Sequence, residues 1–87
     1  MKIDKKIVAD KLLAYFEGNL SLAQLVDWAE NAMLYAEFPI AEIDDITDVL
    51  GQIGLADVRA FGLTWEDATA IMKKLGYRMK VQVALTV

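Results

Sequence analysis

The sequence predicts a mainly α-helical single domain spanning 1–87, in which four to five short helices form an orthogonal or irregular bundle followed by one C-terminal β-strand over about residues 77–86. Three observations lead there. Apolar residues recur at helical spacing from Ile7 to Leu75, the glycines and the single proline fall where that period breaks, and after Gly76 the period changes to strict alternation. At 87 residues the chain can enclose one hydrophobic core and is too short for two.

A first helix is expected to start at Asp4, whose side chain can accept from free backbone N–H groups, and to run to Glu17, where Gly18 offers a permissive C′ position. Ile7 or Val8, then Leu12, Leu13 and Phe16, supply its apolar stripe. The second helix is marked by Ser21 and Gln24, three residues apart as in a capping box, with Leu20 and Leu25 flanking them as a hydrophobic staple. It is expected to reach about Glu37 with Leu25, Val26, Ala29, Ala32, Met33 and Ala36 along one stripe. The alanines imply close approach of another helix, while Trp28, Leu34 and Tyr35 widen the apolar surface.

Pro39 suits the first turn of a third helix, where its missing N–H is not needed, and Ile43, Ile46, Leu50 and Ile53 continue the period until Gly51 and Gly54 weaken it. A short helical turn over Leu55–Phe61, closed by Gly62, precedes a last helix. Thr64 and Asp67 mark its start, Gly76 its end, and Trp65, Ala68, Met72 and Leu75 its inward face.

Beyond Gly76, Tyr77, Met79, Val81, Val83, Leu85 and Val87 alternate with Arg78, Lys80, Gln82, Ala84 and Thr86, which reads as a strand. A strand has no internal hydrogen bonds and needs a mate. No other segment supplies one, since Met1–Ile3 is too short to pair beyond the first few positions. The strand is therefore expected to pair between molecules, with Tyr77, Met79, Val81, Val83 and Leu85 as partner-binding residues. Antiparallel pairing with a second copy would give a homodimer, and the same geometry could add the strand to another protein's sheet. The alternative is a monomer whose tail packs its apolar side on the helices.

The net charge of −4 conceals a segregation: from Leu12 through Val58 there is no Lys or Arg, and the charges are all Asp or Glu. That middle repels nucleic acid and anionic membrane and steers toward a basic protein partner, unless it is only a solvated face that aids solubility. An acidic and aromatic surface of Trp28, Glu42, Asp44, Asp45 and Asp48 is the candidate contact region. For Trp28, which lies off the main stripe, core packing is the competing use; for Trp65 the period favours core. The hydrophobic fraction of 56% is high for so small a domain, and a second chain covering part of it is the favoured explanation.

Chemistry is narrowly bounded. Without cysteine there is no thiolate nucleophile, disulfide or thiolate zinc site, and without histidine there is no imidazole base or ligand. Asp44, Asp45 and Asp48 with Glu42 could gather on one turn and bind a hard cation weakly, but one turn supplies too few ligands for a closed site, and acidic residues at a helix start are explained by the helix dipole. Gly51-Gln52-Ile53-Gly54 lacks the preceding strand and the lysine of a phosphate-binding loop. Neither cofactor, metal nor catalytic residue is expected. The start of the chain carries no apolar run typical of an export signal, and no stretch approaches the roughly 20 apolar residues that cross a bilayer, so a cytoplasmic setting away from membranes is expected.

Leu20–Ala36 and Gly54–Tyr77 resemble a family of small bacterial helical proteins that share this helical order, a resemblance that implies a fold and no particular activity. Ile71–Val83, IMKKLGYRMKVQV, is similar to the helix, Leu-Gly and strand at the ends of some bacterial antitoxins of the helix-turn-helix class. Ile46–Phe61 has a rough helix-turn-helix cadence around Gly54, yet Asp48 and Asp57 stand where a DNA reader would use basic or amide side chains. The leading expectation is a homodimeric protein–protein interaction module of antitoxin, immunity or adaptor kind. A DNA-binding regulator with a degenerate helix-turn-helix comes next, and an enzyme using Asp44, Asp45 and Asp48 last.

Overall fold

A computed structural model describes residues 1–58 and 63–80, and in them the chain forms four α-helices: α1 (Lys5–Phe16), α2 (Leu22–Tyr35), α3 (Ile43–Gly54) and α4 (Trp65–Lys74). Two short 3-10 turns, Ile40–Glu42 and Ala56–Val58, lead into α3 and follow it.

The helix ends are fixed by local chemistry. Asp4 lies in extended backbone and accepts from the Ile7 N–H at 2.9 Å, satisfying one of the free donors of α1. Ser21 accepts from the Gln24 N–H at 3.1 Å while its own N–H donates to Gln24 Oε1 at 2.9 Å, a complete capping box. Thr64 and Asp67 repeat the arrangement at α4, at 3.0 and 3.2 Å. Each such cap is worth about 1 kcal/mol.

The same chemistry closes α1 and α4. Gly18 (φ 81°) and Gly76 (φ 92°) occupy the left-handed conformation that only glycine adopts freely. Around each, the two bonds of a Schellman motif form: the Gly18 and Asn19 N–H groups donate to the Tyr15 and Ala14 carbonyls, and those of Gly76 and Tyr77 donate to Lys73 and Met72.

α2 ends at Tyr35, short of the Glu37 expected from its period. Ala36 is already extended (φ −85°, ψ 153°), two residues ahead of Phe38, the position that Pro39 biases away from the helical region. The freed backbone finds a non-local partner. The Glu37 N–H donates to the Met1 carbonyl at 2.8 Å and the Ile3 N–H donates to the Glu37 carbonyl at 2.9 Å, a parallel bridge between Lys2 and Glu37. Pro39 itself stands before the Ile40–Glu42 turn, and the α-helix starts only at Ile43, later than a proline in its first turn would place it.

The core is built from one face of each helix. Val8 and Leu12 of α1, Leu25, Ala29 and Ala32 of α2, Ile46, Val49, Leu50 and Ile53 of α3, and Ile71 and Met72 of α4 form one buried cluster, joined by Ile3 from the N-terminal segment and by Leu75. α2 makes its most extensive contact with α3, and the fully buried Ala29 and Ala32 are the small residues such close approach requires.

Five expected core positions are corrected by the structure: Leu13 and Phe16 on the α1 stripe are exposed, as are Trp65, Met33 and Ile43. Trp65 is 50% exposed and not inward, because it opens α4: helical side chains lean toward the N-terminus, and at the first position no preceding turn of helix lies beneath them. Met33 and Ile43, placed on stripes by their spacing, are also largely exposed, each lying at the end of its helix where the neighbouring helix no longer covers it. Among the described residues there is no named strand. Tyr77–Lys80 of the expected C-terminal strand are without regular structure, and Val81, Val83 and Leu85 lie outside the described residues, as does the Arg59–Phe61 end of the expected short turn.

Candidate functional site

The acidic candidates sit where α1 and α3 begin side by side. Glu42, the last residue of the first 3-10 turn, reaches back so that its Oε1 accepts from the Lys5 N–H at 3.1 Å, adding a second carboxylate to the N-terminus of α1 beside the Asp4 cap. One turn later Asp45 Oδ2 meets Lys5 Nζ at 3.0 Å. Asp48, a further turn along α3, pairs with Lys74 at the end of α4. The lysines that flank the cation-free stretch in sequence thus fold back onto it, and two of its carboxylates are neutralised within the chain. Both pairs are partly exposed, so each contributes only about 0–1 kcal/mol. Their larger role is to fix how α1 and α4 lie against α3.

Asp44 alone of the four carboxylates makes neither an ion pair nor a hydrogen bond among the described residues, and it is exposed. Asp27, Glu30, Glu37 and Asp57 are exposed as well, so the molecule keeps an acidic surface after the internal pairing. No group of three or more Asp, Glu, His or Cys side chains among the described residues is gathered as a metal site.

Trp28 stands apart from these carboxylates. It is half-buried against the core, and Lys11 Nζ lies 5.7 Å from its ring centroid, within cation–π range. It works at the α1–α2 joint and shares no hydrogen bond, ion pair or ring contact with Glu42, Asp44, Asp45 or Asp48. The acidic and aromatic surface expected from the sequence therefore divides: three carboxylates serve helix docking, Trp28 serves packing, and Asp44 remains outward. On the same end of α1, the exposed Lys6 ammonium is held above its ordinary range by its 3.1 Å hydrogen bond to Asp10.

Of the C-terminal candidates, Tyr77 is half-exposed and its N–H is tied to the Met72 carbonyl at 2.8 Å, while Met79 packs on the core and Arg78 and Lys80 face out. Of the two described residues expected on the inward side, only Met79 is partly buried, and Tyr77 is exposed like Arg78 and Lys80. Tyr77, Arg78 and Met79 line an open groove of about 520 Å³ with Thr69 and Lys73 of α4.

The feature the sequence reading did not anticipate lies at the opposite junction. An apolar groove of about 530 Å³ opens between the N-terminal segment and residues 37–40, with Ile7, Phe38 and Ile40 on its walls. Ile40 is 91% exposed, and Leu34 and Tyr35 at the end of α2 are 73% and 71% exposed. The signal was present: Phe38-Pro39 forces extended backbone, and an extended segment carrying Phe and Ile cannot bury both sides in a helix bundle.

α4 opens with Glu66 and Asp67, which places carboxylates at the helix end that a helix-turn-helix protein would bring to DNA. No helix among the described residues is long and apolar enough to cross a membrane. Compared with protein-family models, with curated proteins and with solved structures, the chain matches none.

Proposed function

We propose that this chain is a homodimeric protein–protein interaction module of antitoxin, immunity or adaptor kind, acting in the cytoplasm, that performs no catalysis of its own. The observation that carries the reading is the exposure of Leu34, Tyr35 and Ile40 on a domain whose core is already filled by other residues. Large apolar side chains left outside a complete core are the usual mark of a surface that another protein covers.

Two further features support it. The segment Val81–Val87 is uncharged, apolar on alternate residues and rich in β-branched side chains, which makes it a hazard in isolation and a natural pairing element in an assembly. The outward carboxylates Asp27, Glu30, Asp44 and Asp57 give a field that favours a basic protein as the further partner and disfavours nucleic acid.

Sedimentation equilibrium tests the dimer. The full chain is expected at twice the mass of one chain, and a chain ending at Lys80 at the mass of one. A full chain that stays monomeric up to about 100 μM would remove the dimer from the proposal, since its association would then be worth less than about 5.5 kcal/mol.

A further inference from the structure

We infer that the groove between residues 1–4 and 37–40 is the seat of the C-terminal segment Val81–Val87 of a second copy of this chain, so that two protomers exchange their tails; this rests on the dimer proposed above and assigns it a contact surface. The argument begins with the parallel bridge. Glu37 spends its N–H on Met1 and its carbonyl on Ile3, and in a parallel ladder the residue between those two turns its own N–H and C=O to the opposite side. That residue is Lys2, whose backbone groups meet no partner among the described residues. The N-terminal segment is thus an open strand edge, ready for a third strand.

Beside this edge lies the apolar groove with Ile7 and the almost wholly exposed Ile40. A strand added at Lys2 would direct every second side chain toward one face. Val81–Val87 has the matching pattern: Val81, Val83, Leu85 and Val87 alternate with Gln82, Ala84 and Thr86, with no charge to desolvate. Seven extended residues span roughly 23 Å, enough to cover a two-residue edge and the groove next to it. The charges flanking the two elements also correspond, since the segment is preceded by the exposed Arg78 and Lys80 while the charged lining of the groove, Asp4 and Glu37 with Lys2, is net negative.

A second copy is the fitting donor because each protomer carries one edge and one strand. Reciprocal exchange about a two-fold axis satisfies both at once and leaves neither edge open.

The absence of cysteine makes the test clean. One tagged chain carries Ile40→Cys, a position exposed enough to leave the fold alone, and an untagged chain carries Val81→Cys, Val83→Cys or Leu85→Cys; the two are mixed, allowed to exchange and mildly oxidised. A disulfide demands Cβ atoms about 4 Å apart, so it reports contact and not mere proximity. The exchange predicts a tagged-to-untagged product from at least one tail variant, at about tenfold the yield of tail-to-tail product or more. Tail-to-tail product without any link to Ile40→Cys would overturn the exchange while leaving the dimer in place, with like strands paired instead. A link formed within one chain carrying both Ile40→Cys and Val83→Cys, in a species sedimenting as a monomer, would overturn both. A dimer that yields neither product overturns the groove as its seat.

Discussion

Leu50→Ala is expected to lower the free energy of unfolding by about 2–5 kcal/mol, the cost of removing a buried leucine and leaving a cavity. Leu50 is 1% exposed and lies within the shared cluster, with Ile46, Val49 and Ile53 beside it on α3. A domain of 87 residues has roughly 4–13 kcal/mol of stability in all, so this one change removes a large part of it. Urea unfolding at fixed protein concentration measures it, with the midpoint falling and the slope unchanged. Leu34→Ala is the informative comparison. It deletes the same atoms from a side chain that lies outside the core, and by itself should change the stability of the monomer by no more than about 0.5 kcal/mol. Equal losses at both positions would contradict the core described above.

Ala29→Leu is expected to cost about 1–3 kcal/mol for the opposite reason. Ala29 is fully buried on the helix that packs most extensively on α3, and three added carbons have no space unless the two helices separate. Ala23→Leu, on the exposed face of the same helix, adds the same atoms in water and should be nearly neutral. The pair of substitutions separates close packing from helix propensity. Thermal or urea unfolding of the two variants side by side gives the answer, and a neutral Ala29→Leu would show that α2 and α3 are not in tight contact there.

What the sequence made legible was local. Ser21 with Gln24, Thr64 with Asp67, and the glycines at 18 and 76 each act within one turn of helix, so the chemistry that fixes them is contained in a few consecutive residues. The burial of Ala29 and Ala32, Ile46, Leu50 and Ile53, and Ala68, Met72 and Leu75 followed equally from period alone. Period gives the angle of a residue around its helix and not its height against the neighbour. That is why Trp65 and Ile43, at helix starts, and Met33, near a helix end, proved largely exposed.

What escaped was non-local. The pairing of Lys2 with Glu37 joins segments far apart in the chain, and only the extended backbone forced by Pro39 hinted at it. The charge pattern misled in an instructive way. A stretch without cations suggested a free negative surface, but Lys5 and Lys74, from either side of it in sequence, both fold onto α3 and pair with Asp45 and Asp48. Of the acidic candidates, Asp44 is the one that folding left exposed and without an ion pair or hydrogen bond among the described residues. The exposure of Leu34 and Tyr35 at the end of α2, and of Ile40, was singled out by neither charge nor period.

Amide hydrogen exchange of the C-terminal segment, followed by mass spectrometry at low and high protein concentration, tests most directly whether its backbone bonds across a molecular boundary. The account predicts that amides of residues 81–87 exchange at least about tenfold more slowly at the concentration where the chain is dimeric than where it is dilute. Exchange at the rate of an unstructured peptide at both concentrations, or equal protection at both, would contradict it.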